Sequence, residues 1–224
     1  MDFGALLETL DGEARRSIDV ARALPDEAFA APTRCPPWDV RVLVGHMVRD
    51  LDRVLTYLDD AAPEAAISDA VTYFRSYDPK AEGPQITAGS VEVADRYGTP
   101  AELVDGFDST LRRCLEAAGR EDPARVLGTR LTSIRLDEFV KTRILEMGVH
   151  GMDLAAALGR RPWLTPAAAS VVLSILVDLW GDDPAPALGW SDLTFIETAT
   201  GRRPLTEAER AVLGGGADSF PLLG

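Results

Sequence analysis

The stretch Arg143-Ile144-Leu145-Glu146-Met147-Gly148-Val149-His150-Gly151-Met152-Asp153-Leu154 decides how this chain is read. Val140, Ile144, Met147 and Leu154 recur at helical spacing. Beside them runs a second line, Arg143, Glu146, His150 and Asp153, at intervals of three, four and three. Residues three or four apart share a helix face, with Cβ atoms about 5–6 Å apart. Glu146 and His150 can therefore hold one metal ion together. Charges beside an apolar stripe are costly to bury unless they are paired or ligate a metal. The line thus predicts a site; a surface Arg–Glu pair is the plainer alternative.

Working outward, this segment predicts a helix from about Ser133 to Leu158, stopped by Gly159. Three more long helices and a fifth segment share its periodicity. The first runs from about Phe3 to Leu24 and closes at Pro25. The second is capped by Asp39 and runs to about Asp60. The third is opened by Thr99-Pro100 and ends near Gly119. Thr165-Pro166 opens the last, which ends near Trp180-Gly181. Residues 61–98 read as mixed, with a short helix near Ser68 to Tyr77 followed by loop, and Asp122 to Arg130 reads as loop. In the tail, Leu193-Thr194-Phe195-Ile196-Glu197-Thr198 alternates and is β-branched, which predicts a strand, and Thr206 opens a short helix. The expected fold is mainly α: a four-helix bundle over residues 1–182 with a small C-terminal α/β extension over residues 183–224.

Composition narrows the function. The 224 residues carry a formal charge of −13, which repels phosphate backbones and anionic lipid, so nucleic-acid and membrane-surface roles are disfavoured. The longest apolar stretch, Ala167 to Val177, is too short for a span of about 20 residues. Met1-Asp2-Phe3-Gly4 has no basic region ahead of an apolar core. Cys35 and Cys114 lie far apart in sequence, and a reducing cytoplasm is the expected location. An exposed apolar face on the fifth helix is expected to allow pairing of two copies.

The chain has two histidines, both on expected helices beside the apolar stripe. His46 follows Leu43 by three and precedes Asp50 by four. A lone histidine at such a place is ordinarily structural. Here His46 can complete a set with Glu146 and His150, two imidazoles and a carboxylate with an open position, the pattern of catalytic zinc. Gly45, Gly148 and Gly151 beside the histidines cost helix stability, about 0.5–1 kcal/mol each, and predict close backbone approach there. Asp50 and Asp153 either orient the imidazoles or are surface charge. Cys35, without a histidine near it in sequence, reads as structural, and Trp38 as packing where the second helix begins. No Gly-x-Ser-x-Gly elbow is present, and Gly214-Gly215-Gly216 lacks the Lys-Ser/Thr of a phosphate loop.

Cys35-Pro36-Pro37-Trp38-Asp39-Val40-Arg41 with His46, the 143–154 stretch, and Ala199-Thr200-Gly201-Arg202-Arg203-Pro204-Leu205 together resemble the mycothiol-dependent maleylpyruvate isomerase family of the DinB-like superfamily. The resemblance covers most of the chain and implies a bundle with a crossover and a metal on His46, Glu146 and His150. It implies mycothiol, or a similar low-molecular-weight thiol, as cosubstrate, and arginines near the metal. Arg75 is the implied catalytic counterpart and Arg202 the cofactor-binding one. Arg143, on the polar line, either pairs with Glu146 or takes a catalytic role on a substrate carboxylate. The function expected is a zinc (or other divalent metal) enzyme that activates the thiol for attack on an electrophilic small molecule, giving S-transfer or cis–trans isomerisation. A metal-dependent hydrolase and a non-catalytic metal-binding module are the alternatives.

Overall fold

The computed structural model describes residues 1–60 and 67–223. Residues 61–66 of the segment expected to be mixed, and Gly224, lie outside the described residues.

Four long helices form the bundle: α1 (Phe3–Arg22), α2 (Val40–Asp59), α5 (Pro100–Gly119) and α6 (Leu136–Ala157). Their starts follow from the sequence. Asp39 accepts the Val42 amide, and Thr99 with Glu102 forms a full capping box. Each then buries one apolar face. On α2, Leu43, Met47, Leu51 and Val54 are wholly inaccessible, and on α5 so are Leu103, Phe107 and Leu111. α1 packs on α5 and α6, and α2 packs on the same two. α6 is buried almost all round, because α7 (Pro166–Trp180) covers its outer face. The apolar face of α7 is in turn taken up by α3 (Ala70–Arg75), α6 and α9 (Asp192–Ala199), so no large apolar side chain of α7 is left exposed for a second copy.

The crossover from α2 to α5 contains the first surprise. Residues read as loop form a 17-residue helix, α4 (Pro79–Asp95), lying along α2. Pro84, Gly83 and Gly89 hide it from any propensity argument. Packing supplies what propensity lacks, since Ser90, Val93 and Ala94 are buried against α2. Gly45 makes this possible: a Cβ there would lie 2.7 Å from the Ser90 carbonyl oxygen. The close approach expected at Gly45 is therefore that of α4. At Gly148 and Gly151 the near neighbours are Leu164 and Trp163, in the loop before α7.

Two further expectations change. The fourth long helix begins at Leu136, because Ser133–Arg135 is a strand (β3). The supposed loop holds β2 (Val126–Gly128), and the two form an antiparallel hairpin. β1 (Ile67–Ser68) pairs parallel to β3, giving sheet order β1-β3-β2. The mainly helical class with a small β component therefore holds, but the described strands lie between the helices. Leu193–Thr198, expected as a strand, is within α9. Ser191 caps that helix, and Phe195, Ile196 and Ala199 meet on one buried face, so burial overrides the β-branched residues. The tail is completed by the short helices α8 (Ala185–Leu188) and α10 (Glu207–Leu213). The amides of Leu222 and Leu223 donate to the Ala199 carbonyl, which brings the chain end back over the bundle.

Candidate metal centre

His46 sits on α2 and Glu146 and His150 on α6, where the two helices face each other. Nε2 of His150 lies 3.2 Å, and Nε2 of His46 3.6 Å, from the same Glu146 oxygen, Oε2. The three can offer one ligand atom each within 4.8 Å of one another. Both histidines are buried, and Glu146 is partly open to a cavity.

The outer nitrogens fix the tautomers. Ser90 Oγ donates to the Ile86 carbonyl at 2.7 Å, so toward His46 Nδ1, 3.1 Å away, it accepts. His150 Nδ1 lies 3.0 Å from Asp153 Oδ2 and donates to it. Each ring thus carries a proton on Nδ1 and turns Nε2 toward Glu146, the nitrogen through which a so-oriented imidazole would bind a metal. His46 Nε2 is buried and has no hydrogen-bond partner among the described residues. An orphaned acceptor of this kind is costly unless something electrophilic is bound. The donor set therefore fits a divalent cation, with nitrogen and carboxylate ligands suited to zinc.

The surrounding charges are balanced by named partners. Asp153 is fully buried and takes a side-on pair from Arg202, at 3.1 and 2.7 Å, plus Arg34 Nε at 3.3 Å. The Cys35 thiol donates to the same carboxylate at 3.1 Å. Burial pushes the Asp153 pKa up, but His150 and Arg202 outweigh it and hold the carboxyl far below its usual range. Burial pushes His150 down, and its bonds to Asp153, Cys35 and Glu146 reverse this, leaving it well above 6.5. Glu146 follows the Asp153 pattern: burial raises it, and the His150 bond and charge, with the Arg143 charge, pull it well below 4.5. Asp50 is held by Arg143 at 3.0 Å, and its other oxygen, Oδ2, lies 3.2 Å from His46 Nε2 without a hydrogen bond.

Neither aspartate is surface charge, since Asp50 and Asp153 are both buried. Asp153 orients His150, whereas Ser90, on the unexpected helix α4, orients His46. Arg143 is buried against Asp50 and over the Phe139 ring, not paired with Glu146. Arg202 reaches the site through Asp153. Arg75 does not line the cavity; it is exposed at the end of α3 and donates to the Asp178 carbonyl on α7. Cys35 and Trp38, read as structural, both line the cavity, the Trp38 ring 4.7 Å from that of His46. Sequence could not bring Cys35 to His150, because 115 positions separate them and only the bundle closes that gap.

His46, Glu146 and His150 open into a cavity of about 620 Å³. Trp38, Tyr57, Tyr73 and Tyr77 supply aromatic wall, while Arg34, Arg49, Arg53, Arg130, Arg143 and Arg202 face Asp50 and Glu146 as the only acidic lining residues among those described. In a chain of net charge −13, this is a locally cationic chamber.

A helical bundle whose facing helices present two imidazoles and a carboxylate to a cavity is a DinB-like scaffold with a candidate metal site. The chain belongs to the family described as the mycothiol maleylpyruvate isomerase N-terminal domain, whose model matches residues 10–155. That span contains all three candidate ligands and Asp153, and excludes Arg202. No curated protein and no solved structure matches the chain.

Proposed function

We propose that this protein is a metal-dependent thiol enzyme. His46, Glu146 and His150 would hold one divalent ion, zinc, and the cosubstrate would be mycothiol or a similar low-molecular-weight thiol. The observation that carries this reading is the convergence of two tautomer-fixed Nε2 atoms on one Glu146 oxygen, with His46 Nε2 otherwise unpartnered. When bound, the cation would favour thiolate over thiol near neutral pH, supplying a nucleophile.

The chain's own residues do the rest. Ser90 and Asp153 keep the imidazoles turned inward. Arg143 neutralises Asp50, and Arg202 with Arg34 neutralises Asp153, so both buried carboxylates stay charged without a proton. Arg202 belongs to residues 183–224, so this extension helps complete the site. The aromatic walls would receive an electrophilic small molecule. Addition of the thiol sulfur to that molecule with retention of the adduct gives S-transfer; addition, bond rotation and elimination give cis–trans isomerisation. Two free cysteines, Cys35 and Cys114, are in keeping with a reducing cytoplasm. No helix among the described residues is long and apolar enough to cross a membrane.

The test is elemental analysis of untagged protein, wild type beside His46→Ala, Glu146→Ala and His150→Ala. Stoichiometric zinc in the wild type, lost in all three variants while helical circular dichroism is kept, supports the reading. A wild type that takes up no divalent metal overturns it. Turnover of an electrophile without added thiol would move the assignment to a hydrolase.

A further inference from the structure

We propose that Arg49 and Arg53 form an anion-binding subsite that holds a carboxylate of the small molecule entering the cavity. The proposal rests on the reading above only in taking this cavity as the substrate chamber.

Four of the six arginines lining the chamber are already engaged. Arg143 is bound to Asp50, Arg202 to Asp153, Arg34 to Asp153 and Glu197, and Arg130 to Glu82 and Gln85. Arg49 and Arg53 alone have no hydrogen-bond or ion-pair partner among the described residues, although both are partly buried. Burial, followed by the Arg53 charge, lowers the Arg49 pKa and outweighs the opposing pull of Asp50. Arg53 rests on the Tyr57 ring at 5.8 Å, which orients it without neutralising it. A Cβ at Gly89 would lie 2.6 Å from Arg49 Nε, so glycine at that point of α4 leaves the room that Arg49 occupies.

The placement suits a substrate anchor. Arg49 and Arg53 follow His46 by three and seven residues on α2 and line the same chamber. At 1.5 Å per residue this puts them about 4.5 and 10.5 Å along the helix from His46. A conjugated acid of that length can present its electrophilic carbon at the metal ligands and its carboxylate at the arginines. The arginines also line an outer groove of about 460 Å³ between α2 and α4, so the subsite stands at the boundary between solvent and chamber. There, Glu92 is taken by Arg96, and Asp52, the other acidic residue lining the groove, makes no ion pair with Arg49 or Arg53. Both guanidiniums come from the interior of α2, away from the helix N-terminal amides that commonly help bind phosphate. Planar forks beside tyrosine walls favour the carboxylate of a planar molecule.

The test is calorimetric titration of the full chain, metal-free and zinc-loaded, at low salt with phthalate, dimethyl phthalate and inorganic phosphate. Phthalate should bind, about tenfold more weakly in Arg49→Gln or Arg53→Gln, while dimethyl phthalate should not distinguish the variants. Gly89→Ala, which displaces Arg49 but keeps both charges, should also weaken phthalate and serves if the glutamine variants fold poorly. No phthalate binding to the wild type, or equal binding to the double variant, overturns the proposal. Phosphate bound more tightly than phthalate overturns the carboxylate assignment. Arginine-dependent binding in a chain that takes up no metal would sustain the subsite while the metal reading fails; metal uptake with arginine-independent binding would do the reverse.

Discussion

Replacing Gly45 with alanine tests the link between the helix that sequence concealed and the metal centre. An added Cβ would stand 2.7 Å from the Ser90 carbonyl oxygen, 2.9 Å from Ala94 Cβ and 3.1 Å from Ala94 N. Ordinary contact begins near 3.4 Å, so α4 must retreat by at least 0.7 Å, the difference from 2.7 Å. Most of what the methyl meets is backbone, which has no rotamer by which to escape. Overpacking of this kind costs about 1–3 kcal/mol, offset by about 0.5–1 kcal/mol of better helix propensity. The net loss is about 1 kcal/mol, or a fall in melting temperature of about 2–4 °C for a chain of this size. The sharper effect is on His46. Its Nδ1 bond to Ser90 is 3.1 Å long, and a retreat of α4 breaks it. Loss of a hydrogen bond that orients a ligating imidazole costs about 10–100-fold in metal affinity. The assays are thermal melting of metal-free protein and zinc competition against a chromophoric chelator. Gly12→Ala, on α1 with nothing within 4 Å of the added methyl, is the control and should be neutral or stabilising. If Gly45→Ala melts no lower than wild type and binds zinc equally well, α4 is not seated on α2 as described, and Ser90 does not position His46.

Three other outcomes are expected. Asp153→Asn keeps the shape but leaves Arg202 uncompensated, so it should cost about 3–5 kcal/mol in denaturant unfolding and weaken zinc about 10–100-fold. Arg143→Met should destabilise by about 3–5 kcal/mol because Asp50 is then buried without a cation, and Asp50→Leu added to it should recover much of the loss; no recovery would refute the pairing. In metal-free protein, the raised His150 pKa contributes stability that is full below 6.5 and is lost as pH rises through the folded value. The lowered Asp153 pKa contributes stability that is full above 3.8 and is lost as pH falls through the folded value. These two groups together place maximal metal-free stability between 3.8 and 6.5, whereas zinc uptake must displace the His150 proton and strengthens with pH. Zinc titrations in buffers of different ionisation heat measure that released proton, and their agreement across buffers would exclude it.

Much of this protein is local, and the sequence determined that much. Helix periodicity and the caps Asp39, Thr99 and Thr165 mark four of the long helices to within a few residues, because cap and stripe are set by neighbours three or four positions away. The i, i+4 pair Glu146 and His150 is legible for the same reason, and the two-histidine composition leaves His46 as its natural third member. Where local preference is weak or opposed, only the tertiary structure decided. α4 carries two prolines and two glycines and is helical because α2 offers it a glycine-lined seat. α9 is helical because Phe195 and Ile196 are buried together. The convergence of Cys35, His150, Asp153 and Arg202 joins residues up to 167 positions apart. Which arginines are free to act was equally beyond the sequence: it shows cations, but a cation's availability depends on whether packing has already given it an anion. Arg143 and Arg202 stood out in the chain and are engaged in the fold, while Arg49 and Arg53 have no such partner among the described residues.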